Sequence, residues 1–113
     1  MEATNVLSCG IVHEVLTKDN YKTWKVLMKN YLLGESLWGV VESGYVSKDD
    51  KNKEESKYDE NRRMNAKALH IIQLSCGSKI FEQISGCKTA REAWNYLGAR
   101  YDSKFITKAD IEQ

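Results

Sequence analysis

Leu16-Thr17-Lys18-Asp19-Asn20-Tyr21-Lys22-Thr23-Trp24-Lys25-Val26-Leu27-Met28-Lys29-Asn30-Tyr31-Leu32-Leu33 is the stretch that decides the fold. Its apolar positions Tyr21, Trp24, Met28, Tyr31 and Leu32, with Leu27 beside them, recur at the i, i+3 and i+4 spacing that gathers one face of an α-helix. Lys22, Lys25 and Lys29 fall on the opposite face. Asp19 or Asn20 stands where an N-cap is needed, and Gly34 follows where a helix ending near Leu33 would stop.

Outward from this helix the same period continues. Residues 36–43 form a short helix carrying Leu37, Trp38 and Val41, closed by Gly44. A polar connection over 45–57 grades into a longer helix over 54–75, where Tyr58, Met64, Ala68, Leu69, Ile71, Ile72 and Leu74 shift it from solvated to buried. Asp59 and Glu60 each share a helix face with Arg63. Ser78 is placed to cap a further short helix with Ile80, Phe81 and Ile84, ended by Gly86. Ser/Thr-x-x-acid boxes begin at Ser47, Thr89 and Thr107. The one at Thr89 is the strongest, because Glu92 is long enough to reach back to the cap amide. Its helix aligns Ala90, Ala93, Trp94, Leu97 and Tyr101.

The expectation is an all-α chain, a compact bundle of about five helices. Residues 1–16 read as irregular or extended, 17–102 as the helical domain, and 103–113 as the truncated start of a further helix, pointing to a larger unit, or as a linker. The predicted core anchors are Tyr21, Trp24, Met28, Tyr31, Leu37, Trp38, Leu69, Ile72, Ile80, Phe81, Ile84, Trp94, Leu97 and Tyr101.

At 113 residues the chain suits one domain, burying roughly two thirds of its unfolded surface. Charged residues reach 29%, but the signs cancel to a net +1, which speaks against a dedicated nucleic-acid binder. The stripe Lys22, Lys25 and Lys29 remains as a weak nucleic-acid contact. No run is long and apolar enough to span a bilayer. An odd set of three cysteines without a secretory leader fits reduced thiols, so the expected location is the cytoplasm, with the nucleus as the alternative.

Candidate chemistry is sparse. Cys9-x3-His13 has ligand-like spacing, but a structural zinc needs two more ligands, and neither Cys76-x10-Cys87 nor His70 supplies them in a knuckle. No cysteine sits in a glycine-rich elbow or beside a base and an orienting group, so an enzyme is not expected, nor is a cofactor or metal. The glycines form no phosphate-loop pattern; most punctuate helix ends, and Gly98 allows close helix approach. The dense mixed charges over 48–67 read as a solvated helix face, or as an inter-subunit contact.

Three collinear blocks then carry a resemblance. Asn20-Tyr21-x-x-Trp24-x-x-x-Met28-x-x-Tyr31-Leu32, followed by Leu37-Trp38-x-x-Val41-Glu42-x-Gly44-Tyr45, resembles the opening of the Gag protein of plant copia-type retrotransposons. Ala68-Leu69-x-Ile71-Ile72-x-Leu74, Ile80-Phe81-x-x-Ile84 and Thr89-Ala90-x-Glu92-Ala93-Trp94-x-x-Leu97-x-x-x-Tyr101 resemble its next block. The resemblance covers roughly residues 16–102 and implies a domain like the N-terminal domain of a capsid. Its work would be non-enzymatic self-assembly, with itself or other Gag and capsid domains as partners. The alternative it leaves open is a host binding module that recognises a host protein, such as the front of a plant ankyrin-repeat protein. A weak RNA-binding role ranks third. The Cys-x2-Cys-x4-His-x4-Cys knuckle of such Gag proteins does not occur in this sequence.

Overall fold

The computed structural model describes residues 14–44 and 55–102. Within them lie α1 (Tyr21–Gly34), α2 (Trp38–Ser43), α3 (Glu55–Leu74), α4 (Ser78–Ile84) and α5 (Ala90–Tyr101). The fold is an all-α bundle of five helices among the described residues, and the only β element is an isolated parallel bridge between Leu16 and Cys76. The capping boxes at Ser47 and Thr107, along with Cys9 and His13, lie outside the described residues.

α5 packs against α2 and α3, α2 also touches α3 and α1, and α4 folds back on α3. α1 buries Tyr21, Trp24, Met28 and Leu32, one position per turn along a single face. Ala68 of α3 and Ala90 and Ala93 of α5 are fully buried, and their small side chains suit the close pairing of those two helices. Leu69 is partly buried against the core, whereas Ile72, Ile80, Ile84 and Leu97 lie inside it.

The termini of the helices depart from the sequence reading in instructive ways. Asn20 does occupy the N-cap of α1, but its side chain makes no capping bond. It turns back instead: Oδ1 accepts from Thr17 N–H at 2.7 Å and Nδ2 donates to the Val15 carbonyl at 2.9 Å. Gly34 is the last residue of α1, and the left-handed position falls on Ser36, with φ 62°. Ser36 N–H donates to the Leu33 carbonyl and Leu37 N–H to the Leu32 carbonyl at 2.8 Å, the paired bonds of a Schellman turn. Buried Leu37 beside buried Leu32 supplies its apolar contact, which is why the turn tolerates serine. Gly44 alone among the described glycines has positive φ.

Gly77, not Ser78, is the N-cap of α4: its backbone is extended and its carbonyl accepts the first helical bond, from Phe81 N–H at 2.8 Å. The Thr89 cap forms: its Oγ1 accepts from Glu92 N–H at 3.0 Å. Glu92 Oε1 in return accepts from Lys88 N–H, one residue upstream of the expected amide. Neither Asp59 nor Glu60 forms an ion pair with Arg63; the ion pair among the described residues is Lys25 with Asp102.

Candidate functional site

The tryptophans converge. Trp24 of α1 lies nearly parallel to Trp94 of α5 at 5.7 Å, and Trp38 of α2 meets the edge of Trp94 at 5.1 Å. Tyr21 adds a fourth ring 6.1 Å from Trp24. Three helices are thereby joined through rings, whose offset and edge contacts add roughly 0.5–1.5 kcal/mol per pair beyond burial. Trp24 is inside the core and donates Nε1–H to the Ser75 carbonyl at 3.2 Å, while Trp38 and Trp94 are only partly buried. Tyr31 and Tyr101 likewise sit at the edge of the core.

Beside the stack is a shallow cleft of about 250 Å³ lined by Tyr21, Lys25, Trp94, Asn95, Gly98 and Asp102, among others. Gly98 keeps its floor open, since a Cβ there would lie 3.3 Å from Tyr21 Oη. What approaches this glycine is the tip of a side chain, not the backbone of a neighbouring helix. Burial, and then the negative charge of Asp102, push the Tyr21 hydroxyl up to about 12. It stays protonated.

The lysine stripe does not remain a free basic face. Lys25 Nζ pairs with Asp102 Oδ2 at 3.3 Å and lies 5.9 Å from the Tyr21 ring centre. Lys29 Nζ sits 5.0 Å over the Trp38 ring. Lys22 is exposed and makes no ion pair among the described residues. Two of the three cations thus have partners on other helices, while Lys29 stays exposed and Lys25 is half-buried.

Two thiols lie among the described residues, and neither is activated. Cys76 is buried, donates to the Ile72 carbonyl and is pushed by desolvation up to about 12. Burial and then Glu92 raise Cys87. Both raised values favour the protonated form, which is a poor nucleophile and a poor metal ligand. No group of three or more potential metal ligands occurs among the described residues.

Phe81 departs from its expected place in the core. α4 has seven residues and buries Ile80 and Ile84, so Phe81, turned about 100° from Ile80, is 39% exposed. Leu74 at the end of α3 also faces outward. On α1, Val26 and Leu33 are 57% and 50% exposed, and the seven-residue spacing stacks them on one outward stripe, with Leu27 at its margin. Sequence reasoning missed Leu16, Val40 and Asn65, all buried. Asn65 had a signal: it stands three residues before Ala68 and seven before Ile72, a polar side chain on the apolar stripe.

Five helices, three of them joined through a tryptophan stack, with apolar side chains left on the surface, define an all-helical module. Residues 28–109 match the family model of the gag-polypeptide of LTR copia-type, and the chain belongs to that family. The match begins at Met28, inside α1, and takes in α2 to α5. No curated protein and no solved structure gives a significant match. No helix among the described residues is long and apolar enough to cross a membrane.

Proposed function

We propose that this chain is a capsid-like Gag assembly module that works by self-association and carries no catalytic activity. The family match over residues 28–109 carries this reading. The outward stripe of α1 supports it: Val26 and Leu33 expose apolar surface beside Lys22 and Lys29, an apolar strip with a charged flank. Each contact of this kind is small, and a shell is held by many of them, since linking weak sites raises the effective concentration of each. The near-neutral net charge, with Lys25 already paired to Asp102, makes an RNA-binding role through the lysine stripe the weaker reading.

Sedimentation velocity across a concentration series tests the proposal. Higher-order species are expected at high micromolar concentration. The double variant Val26→Asp, Leu33→Asp changes exposed positions only and is expected to return the chain to monomer with an unchanged helical spectrum. A monodisperse wild-type monomer throughout the series refutes self-association by this chain.

A further inference from the structure

Leu16 precedes α1 by five residues and belongs to no helix, yet none of its surface is exposed. Its neighbours Glu14 and Thr17 are exposed. Two backbone bonds fasten it to the α3–α4 turn: Leu16 N–H donates to the Ser75 carbonyl at 2.7 Å, and Gly77 N–H donates to the Leu16 carbonyl at 3.3 Å. The core is closed at this end by one leucine side chain and one residue of parallel pairing. Backbone groups and a single apolar pocket define the slot, so residue 16 of any copy of the chain satisfies it equally.

A short turn over 17–20 joins this strap to α1, and one side chain ties it shut. Asn20 holds Thr17 and Val15 through its two amide bonds. Thr17, Lys18 and Asp19 are exposed, so opening the turn uncovers no core residue of its own. A small, locally fastened element on a short exposed turn has the geometry for exchange between identical chains. The exchanged pair keeps the bonds of Leu16 to Ser75 and Gly77 and gives up the bond from Asn20 to Val15 across the turn.

We infer that residues 14–16 are an exchangeable strap, filling the slot at 75–77 of their own chain in the monomer and that of a second copy in the assembled state. The inference rests on the self-association proposed above and gives it a specific joint. A second copy is the occupant because each chain carries one strap and one slot, and reciprocal exchange closes a two-fold pair with no slot left empty.

Cross-linking in the full chain tests it. Paired positions lie about 4.8 Å apart across a bridge, within the roughly 4.4–6.8 Å that a disulfide spans. Leu16→Cys in a Cys9→Ser, Cys87→Ser background leaves Cys76 as the only other thiol of each chain, and peptide mapping identifies the link from position 16 to position 76 against 16–16 or 76–76 links. After mild oxidation the link is expected within one chain at low concentration. It is expected to become interchain, several-fold over the dilute sample, where the unsubstituted chain sediments as dimer. Dimers by sedimentation with the link still confined to one chain overturn strap exchange and leave self-association standing. Monomers at every concentration overturn both. Asn20→Ala keeps Leu16 in place and removes both bonds of the turn, so a several-fold rise in dimer fraction is expected. An unchanged or smaller dimer fraction in Asn20→Ala overturns the inference whether or not Leu16→Cys folds.

Discussion

Replacing Asn65 with alanine tests how α3 is locked to the start of α5. Asn65 is 5% exposed, and its Oδ1 accepts from the fully buried Ala90 N–H at 2.8 Å while its Nδ2 donates to the Lys88 carbonyl at 3.3 Å. The Ala90 amide is the first of α5 and has no partner within that helix, so Asn65 caps α5 from another helix. In Asn65→Ala this amide is buried without an acceptor, a loss of about 1–3 kcal/mol. The Lys88 carbonyl belongs to an exposed residue and can turn to water, adding only a few tenths. The expected total is about 2–3 kcal/mol, read as a lower urea midpoint at unchanged slope. For a domain a little over 100 residues this lowers Tm by roughly 8–15 °C. Asn65→Leu restores volume but not the acceptor and is expected to recover less than half of the loss. A loss below about 0.5 kcal/mol in Asn65→Ala, with the slope intact, would refute the cross-helix cap.

Other substitutions probe the remaining joints. Leu16→Ala should cost about 3–4 kcal/mol by urea unfolding, since it empties a fully buried site; a cost under 1 kcal/mol would place the strap outside the core. Thr89→Ala should cost about 1 kcal/mol, whereas Ser78→Ala should be nearly neutral in the same assay, because Gly77 holds the cap of α4. Ser36→Gly should raise the thermal midpoint, relieving about 1 kcal/mol of left-handed strain at φ 62°, and a fall instead would contradict the turn geometry. Alkaline stability should decline. Cys76 rises from 9.0 to about 12 and Tyr21 from 10.0 to about 12, so the folded chain keeps protons that the unfolded chain releases. Their contribution is full below about pH 9 and is lost as pH climbs towards 12; urea midpoints that stay flat across that window would exclude it.

The parts legible in sequence share one property: they depend on near neighbours in the chain. The 21, 24, 28, 32 face of α1 and the Thr89 cap involve residues three or four apart, so period and capping chemistry find them. The same period placed Phe81 inside, because a periodic pattern does not say how wide a face the neighbouring helix covers. For a seven-residue helix that face is narrow. The partners of the lysine stripe were not legible either, since Asp102 and Trp38 reach Lys25 and Lys29 only once α1, α2 and α5 are assembled.

The sequence by itself determined the helical class, the order of the elements, the aromatic seam and, through the collinear Gag-like blocks, the family. Local hydrogen bonding and side-chain period act within a turn or two, and both are written along the chain. Only the tertiary structure decided that Leu16 closes the core against Ser75 and Gly77, that Trp24 bonds a carbonyl 51 residues away, and that Asn65 caps α5. Those outcomes come from desolvation and geometry between distant segments. A side chain's burial and the partners of its polar atoms take their values from the neighbours that folding brings to it.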